Sequence, residues 1–299
     1  MSDPLTHEIR QTIAEKLKAS SVRELELYQY ELERHYRKLI LASRKGPARD
    51  ELFDLAYLDV FSVLFELRRR SGKDLRQGLG GDAGMADTLA SFLGPSPARI
   101  FEVGCGTGAV LEALAAKGHA VAGCDLSQEV IDICHVRLPG FTAEIRRASF
   151  FDLKQDREFD FIYTNDVLEH VHPDQALDFL KQIHAWLKPG GFLWLITPNR
   201  FTGPGDGTLY GNPEATEAEG LHLKEYDFRE LLALLTQAGF SEQRSRLWSK
   251  GRFRPFESPA CTEFAFLKAK LEPVLALLPS RLRRRALLQL KFSEVIARK

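Results

Sequence analysis

The sequence has few of the features that mark several common classes of protein. Its four cysteines, Cys105, Cys124, Cys134 and Cys261, form no Cys-x-x-Cys pair and no cluster with histidines. This argues against structural zinc and a disulfide framework, and predicts reduced thiols. Neither sign of charge is in excess, because 41 basic side chains balance 41 acidic ones. Nucleic-acid-binding domains usually carry a basic excess, so that class is disfavoured.

Long apolar runs are also missing. No run approaches the roughly 18–20 residues that a membrane-spanning helix needs. Residues 1–4 lack the basic and apolar regions of a secretory signal. We therefore expect a cytoplasmic location. With 44% apolar residues in a chain of 299, the protein can bury a full core without help from metal or disulfides.

The N-terminal quarter has the periodicity of helices. Apolar residues recur at every fourth position from Leu5 to Leu17, which defines one helical face. Residues 50–70 are apolar on several sides, as in a helix that other elements cover. The glycine-rich stretch from Ser71 to Gly84 predicts a linker. Residues 1–80 are thus predicted to form a helical extension, and residues 81–299 the main domain.

Beyond the linker, strands and helices alternate. The predicted strands are Arg99–Val103, Ala120–Cys124, Glu144–Arg147, Phe159–Thr164, Phe192–Thr197 and one after Phe240. Such alternation is typical of a mostly parallel sheet with helices on both faces. The long loop between Pro198 and Gly220 predicts a functional segment. A helical insertion at about 260–290 precedes a last strand, Lys291–Ala297, which we expect to be antiparallel at the sheet edge.

The turn after the first strand holds Gly104-Cys105-Gly106-Thr107-Gly108. Glycines allow a backbone to pass close to a ligand. The same turn satisfies the dinucleotide fingerprint, so a nicotinamide cofactor is a rival interpretation. Glu102 distinguishes a nicotinamide cofactor from a cofactor with a methionine group. A carboxylate at this position attracts the ammonium group of methionine and repels the pyrophosphate of a dinucleotide. Asp125, after the second strand, is placed to accept hydrogen bonds from ribose hydroxyls in either case.

Two later segments complete the pattern. One runs from Phe159 to Val171 and ends in Leu168-Glu169-His170-Val171; the other is Leu187-Lys188-Pro189-Gly190-Gly191. With the glycine turn and Asp125, these make four motifs in order between about Met85 and Phe240. The region resembles class I S-adenosylmethionine-dependent methyltransferases. The Leu-Glu-His-Val run is similar to that of ubiquinone-biosynthesis-type small-molecule O-methyltransferases.

The resemblance implies a fold and a cofactor. The fold would be an α/β Rossmann-like, mostly parallel seven-stranded sheet in the order 3-2-1-4-5-7-6, with the N-terminal helical extension and extra C-terminal helices. The cofactor would be S-adenosylmethionine, giving S-adenosylhomocysteine as product, with no metal. The residues implied to bind it are Glu102, Gly104, Cys105, Gly106, Gly108, Asp125, Leu126, Phe150, Phe151, Asp152 and Asn165.

Each of these residues has an implied role. Glu102 and the glycine turn would line the methionine half, and Asp125 would hold the ribose. Leu126 would flank the adenine, while Asn165 would face the methionine ammonium through its backbone carbonyl. After the third strand the alignment stays open. There Phe150 and Phe151 are either apolar walls or core residues, and Asp152 is a candidate adenine acceptor.

Methyl transfer mainly requires the acceptor to be held near an already activated methyl group. A general base helps when the acceptor is a hydroxyl. His170, just past the fourth strand, is the first candidate for this base, and bracing of the next helix is its alternative role. His222, after the long loop, is a candidate substrate contact or a solvated loop histidine. Glu169 and Tyr226 are further candidates on the same side.

The prediction of the methyl acceptor depends on motifs that the sequence lacks. Neither Asn-Pro-Pro-Tyr nor Asp-Pro-Pro-Tyr follows the fourth strand, and no Pro-Cys motif is present. This disfavours methylation of base or glutamine nitrogens and of base carbons. We expect a small-molecule acceptor, methylated at oxygen, with an amine still open. The alternatives are an RNA or protein methyltransferase and a non-catalytic S-adenosylmethionine-binding interaction protein.

A short basic stretch, Arg281–Leu288, lies near the C-terminus. Contact with anionic lipid or an acidic partner is one interpretation. The sequence alone favours a solvated helix face instead. It makes no prediction of the oligomeric state.

Overall fold

A computed structural model of the chain describes residues 4–72, 83–141, 144–154, 158–245, 260–290 and 292–299. Most of the predicted linker, Ser71–Gly84, lies outside these ranges. The chain divides into two compact units. The first unit combines Met1–Gln77 with Pro204–Leu223, and the second combines Gly78–Gly203 with Lys224–Lys299.

The described elements alternate as expected after residue 98. The helices are α1 (Pro4–Ala19), α2 (Val22–Ala42), α3 (Pro47–Arg70), α4 (Ala83–Leu93), α5 (Ala109–Ala115), α6 (Gln128–Arg137), α7 (Ala176–Trp186), α8 (Thr208–Gly211), α9 (Phe228–Gln237), α10 (Ala260–Ala276) and α11 (Ser280–Gln289). The strands are β1 (Arg99–Val103), β2 (Ala120–Asp125), β3 (Ile145–Arg147), β4 (Phe159–Asn165), β5 (Leu187–Ile196), β6 (Glu242–Arg244) and β7 (Glu294–Arg298). Among the described helices, none combines the length and apolarity needed to cross a membrane.

In the first unit, α2 organises the structure. It begins with a capping box, in which the Ser21 hydroxyl accepts from the Glu24 amide and the Glu24 carboxylate accepts from the Ser21 amide. Its buried side chains pack with those of α3, where Val60 and Val63 have almost no exposed surface. The apolar faces predicted from the sequence are therefore the buried faces of these helices.

The second half of the predicted long loop belongs to this first unit. The Tyr30 hydroxyl of α2 donates to Glu219 at 2.5 Å, and the Leu221 amide donates to the Glu33 carboxylate at 3.3 Å. Burial raises the pKa of Glu33, while the Gln29 amide nitrogen donates to its carboxylate at 2.7 Å. The loop is thus fixed to α2 by hydrogen bonds of Tyr30 and Glu33.

In the second unit, the seven strands form one sheet in the order β3-β2-β1-β4-β5-β7-β6. All pairs among β1 to β5 are parallel, and β7 is antiparallel to both β5 and β6. The predicted Rossmann-like fold is confirmed. The predicted strand order, in which the last strand lies inside its neighbour, is confirmed as well. Only the separate expectation that this strand forms the edge was wrong, because Ile296 pairs with Trp194 on one side and with Arg244 on the other. The short β6 takes the edge.

Alternate residues of the central strands face opposite sides of the sheet. Phe101 and Ile162 join one hydrophobic cluster, while Ile100 and Phe161 join the other. Covering both faces requires helices on each side, as in other parallel sheets. Strand β5 begins at Leu187, five residues before the predicted start, because Leu187 already pairs with Phe159.

Helices α10 and α11 form the insertion between β6 and β7. The buried carboxylate of Glu272, on α10, accepts hydrogen bonds from the Phe228 amide at 2.9 Å and from the Asn199 side chain at 2.6 Å. It therefore supplies acceptors at the N-terminus of α9, where backbone amides lack partners within the helix. One buried acid thus joins α10 to both the loop after β5 and the start of α9.

We predict that Phe150→Ala lowers the free energy of unfolding by about 3–5 kcal/mol, because it removes a buried aromatic ring. The Phe150 ring lies 4.6 Å from that of Trp186 and 5.3 Å from that of Phe179. Denaturant unfolding measures the change. Phe151→Ala is the matched control, since that side chain is half-buried. Equal losses in the two variants would contradict the assignment of Phe150 to the core.

Candidate cofactor and catalytic site

The carboxyl ends of three parallel strands meet at one edge of the sheet. Val103 of β1 pairs with Cys124 of β2 and with Thr164 of β4. The backbone amides of Gly104 and Cys105 both donate to the Cys124 carbonyl, at 2.9 and 3.0 Å. The glycine turn therefore lies directly beside the end of β2. Open α/β sheets bind their ligands at such a crevice.

The turn requires glycine at two positions. Gly104 and Gly108 have φ angles of +71° and +76°, in the region that side chains disfavour. A β-carbon on Gly104 would stand 2.4 Å from Val167 Cγ2, and one on Gly108 would stand 2.3 Å from Cys134 Sγ. Cys105 is buried, and its thiol hydrogen-bonds with that of Cys134. Its side chain thus belongs to the core beside the turn, which leaves the backbone for any ligand contact.

Glu102 is a buried acid with spare hydrogen-bonding capacity. Its side chain is 1% exposed, and its Oε2 atom has no hydrogen-bond partner among the described residues. Burial, followed by the nearby Cys134 and Asp125, raises the pKa of this carboxyl well above its usual range. A buried carboxylate without a cation is costly. The site therefore fits the ammonium group of a methionine moiety, which would supply the missing positive charge.

Asp125 links the second strand to the glycine turn. Its Oδ2 atom accepts from the Gly106 amide and its Oδ1 atom from the Ser127 amide, both at 3.0 Å. Burial raises the pKa of this carboxyl, although the backbone amides act in the opposite direction. A carboxylate oxygen accepts more than one hydrogen bond. The side chain can therefore hold the turn and still accept from a ribose hydroxyl.

The segment after β3 lies beside the same edge. The Ala148 amide donates to the Asp125 backbone carbonyl at 3.0 Å. Of the predicted adenine-side residues, Leu126 and Phe151 are half-buried and Asp152 is exposed. Phe150 is packed in the aromatic core, so its role as a cofactor wall stays a prediction beside the core role that the structure gives it.

The end of β4 contains a residue that sequence reasoning missed. Asp166 has a φ of +55°, and it is the one non-glycine with a positive φ among the residues that the structure describes. The predicted site residue Asn165 donates from its side-chain nitrogen to the Asp166 carboxylate at 2.9 Å. Unusual backbone conformations concentrate at functional sites. The Asn-Asp pair after a strand was the available signal, because these residues tolerate the left-handed region.

The candidate catalytic segment follows directly. His170 is half-buried and ends a short 3-10 helix, Leu168–His170. The neighbouring Glu169 is fully buried, and its carboxylate accepts from the Thr197 hydroxyl at 2.8 Å. The Lys224 amide donates to the Glu169 carbonyl at 3.1 Å. Glu169 is therefore held between β4, the end of β5 and the segment before α9, a position that suits a positioning residue.

Tyr226 and His222 fall in different units. Tyr226 lies in the second unit, where it is 3% exposed, and its hydroxyl has no hydrogen-bond partner among the described residues. Burial raises the pKa of this phenol, so it remains a neutral donor. His222 is buried in the first unit, and its backbone amide donates to Asp206 at 3.4 Å. Within the second unit, the structure brings Glu102, the glycine turn, Asp125, Asn165 and the Glu169–His170 pair to the carboxyl ends of the strands.

Comparison with known families gives a match over residues 80–243 to a family model described as a methyltransferase domain. The chain belongs to the methyltransferase domain family. This confirms the family predicted from the motifs. Because the match begins at residue 80 and ends at residue 243, it leaves most of the first unit and the C-terminal helices outside it.

Curated relatives share part of the chain. The ubiquinone biosynthesis O-methyltransferase of Actinobacillus pleuropneumoniae serotype 7 is 36% identical over 110 residues, which cover 34% of this chain and 46% of the relative. The protein of the same name from Xylella fastidiosa strain 9a5c is 40% identical over 118 residues, covering 38% and 47%. The chain thus spans about half the length of the curated relatives it matches.

Solved structures agree on the fold. A SAM-dependent methyltransferase from Archaeoglobus fulgidus has a TM-score of 0.50 at 16% identity, covering 79% of this chain and 99% of that one. The plantazolicin methyltransferase BpumL, solved with a pentazolic desmethylPZN analog and SAH, has a TM-score of 0.51 at 16% identity and covers 91% and 99%. At this identity the likeness shows the fold alone.

We predict opposite effects of Glu102→Gln on stability and on cofactor binding. Without cofactor, the variant should have a higher Tm at pH 8, because an amide does not ionise and so avoids the stability cost of a buried carboxyl with a raised pKa. The folded-state pKa is raised, so the carboxyl of the unmodified protein costs stability as pH rises through that pKa. The gain should therefore vanish at acid pH.

With cofactor, the same variant should bind S-adenosylmethionine about tenfold more weakly, since a charge-assisted hydrogen bond is lost. Thermal unfolding and calorimetry measure the two effects. The exposed Glu158 gives a matched control, Glu158→Gln, which should change neither. Unchanged affinity in Glu102→Gln would overturn the role of Glu102.

We predict that Asp125→Ala weakens S-adenosylmethionine binding by about 1–3 kcal/mol, the range for hydrogen bonds to a charged acceptor. Asp125→Asn keeps one oxygen for a backbone amide and separates loss of charge from loosening of the turn. Calorimetry should show binding of S-adenosylmethionine and S-adenosylhomocysteine by the unmodified protein, and no binding of NAD. Tight binding of NAD would instead support the dinucleotide interpretation.

Proposed function

We propose that this chain transfers the methyl group of S-adenosylmethionine to an oxygen atom of a small-molecule acceptor. The observation that carries the proposal is the buried Glu102 carboxyl, which has an unpartnered oxygen beside a glycine turn at the carboxyl edge of the sheet. An ionised carboxylate in such a position is stabilised by a cation beside it. A methionine ammonium supplies that cation, whereas the pyrophosphate of a dinucleotide would be repelled.

The choice of oxygen is supported by the relatives and by the sequence. The two relatives described above are named O-methyltransferases, and each matches about a third of this chain. No motif for methylation of base nitrogens follows β4. The balanced charge also offers no general attraction to nucleic acid. A small hydroxylated acceptor fits these observations better than RNA does.

The bound cofactor would supply a sulfonium-activated methyl group. Glu102 and the backbone around Asn165 would orient the methionine end, and Asp125 would hold the ribose. His170 would take the proton from the acceptor hydroxyl as the oxygen attacks. Glu169 would act as a positioning residue, since its hydrogen bond to Thr197 fixes the short helix that carries His170. The unpartnered Tyr226 hydroxyl is available to hydrogen-bond the acceptor, and an acceptor contact for His222 stays a prediction.

The acceptor screen is the decisive experiment. Fractionated metabolites are incubated with the protein and a labelled methyl donor, and the labelled product is examined for a methyl ether or ester. We expect one small-molecule fraction to be labelled at oxygen. Label confined to amines would overturn the choice of oxygen. Donor binding without any labelling would instead favour a non-catalytic binding protein.

Once an acceptor is known, we predict that His170→Ala reduces kcat by about 10²–10⁴-fold, the range for loss of a general base. Donor affinity should be unchanged. Full turnover by His170→Ala over the whole pH range would exclude His170 as the base.

We also predict that Tyr226→Phe, which removes only the unpartnered hydroxyl, mainly raises the KM for the acceptor.

A further inference from the structure

Helix α10 exposes its apolar side to solvent. Phe266, Val274 and Leu277 are 64%, 62% and 86% exposed. Leu267 and Leu271 are exposed as well, and Leu277 follows the last residue of the helix. At about 100° per residue, these five positions fall within one arc of about 140° on the helix surface. A surface helix of a globular protein usually turns such a stripe toward the core.

The opposite side of α10 is buried and contains two charged residues, Lys268 and Glu272. Lys268 donates to the Ser245 hydroxyl at 2.6 Å, and its ammonium lies 5.6 and 5.5 Å from the ring centroids of Phe228 and Phe292. The Glu272 carboxylate accepts hydrogen bonds from the Phe228 amide and from the side-chain nitrogen of Asn199. Turning the apolar face inward would break both sets of contacts and leave polar groups unpaired. The outward orientation of the apolar face is therefore fixed by the fold.

Helix α11 adds positive charge to the same hairpin. Arg281, Arg284 and Arg285 are exposed, with Leu282 and Leu288 exposed among them. On α10, Lys270 is exposed within the apolar arc. The one acid between residues 265 and 290 is Glu272, which is buried. The described surface of this hairpin thus presents large apolar side chains and four cations, without an exposed acidic group.

We propose that the α10–α11 hairpin, residues 265–290, docks on the surface of an anionic lipid bilayer. Apolar side chains on an interfacial helix insert at the boundary of the headgroups and acyl chains, while arginines and lysines bind acidic headgroups. A second copy of the chain fits less well, because a two-fold contact through this face would oppose the cations of one copy to those of the other. The surface therefore differs from the solvated helix face that the sequence favoured.

Vesicle co-sedimentation tests the proposal. The full chain is mixed with vesicles of phosphatidylcholine alone or with about 30% phosphatidylglycerol, at ~0.1 M and ~0.5 M salt. We expect binding to the anionic vesicles that weakens at high salt. Val274→Ser with Leu277→Ser, and separately Arg281→Gln with Arg284→Gln and Arg285→Gln, should each reduce binding about tenfold or more.

Matched control variants distinguish binding through this surface from nonspecific hydrophobic or electrostatic binding to vesicles. Val136, on α6, is also highly exposed, so Val136→Ser should bind as the unmodified protein does. The triple variant Lys38→Gln, Arg44→Gln and Lys45→Gln removes the same charge from exposed positions of the first unit and should retain binding within about twofold. An unchanged Tm in every variant would show that the fold is intact.

Three results would overturn the proposal. One is the absence of binding to anionic vesicles at low salt. Another is a dimer in light scattering that the Val274 and Leu277 substitutions convert to monomer, while vesicle binding stays the same. The third is salt-sensitive binding to poly-glutamate without vesicle binding, which would assign the surface to an acidic protein partner instead.

Discussion

A carboxyl group shielded from water, on Glu102 of β1, is the interaction on which the candidate site depends. One of its oxygens has no hydrogen-bond partner among the described residues, and Glu102 lies two residues before the glycine turn. Burying an ionised carboxylate lowers stability unless a group of opposite charge is supplied. The proposed S-adenosylmethionine cofactor would supply such a group through its methionine ammonium.

The backbone next to Glu102 requires glycine at two positions. Gly104 and Gly108 have the left-handed conformation, and a β-carbon on either would clash with a neighbouring side chain. Asp125 fastens the turn to β2 through the Gly106 amide. Asp166 has a left-handed backbone conformation directly after β4. The ends of β1, β2 and β4 therefore lie side by side, although Val103 and Asn165 are about sixty residues apart in the sequence.

Buried charged residues also determine the orientation of the C-terminal α10–α11 hairpin. Lys268 and Glu272 fasten α10 to the core through polar contacts, and this leaves the apolar side chains of the helix outside. Hydrophobicity alone would have predicted the reverse orientation. The polar contacts of Lys268 and Glu272 hold the helix in the observed orientation, because breaking them would leave their buried partners unpaired.

The sequence by itself determined the sheet, the glycine turn and the acids beside it, because strand alternation, turn glycines and strand-end carboxylates are local patterns with few structural solutions. Only the tertiary structure decided the core location of Phe150 and the partners of Glu169, since these depend on contacts between distant segments. The same holds for the long loop, whose second half packs on α2. Exposure of the α10 face was likewise not readable from the sequence, because periodicity identifies a face of a helix but not the direction in which that face points.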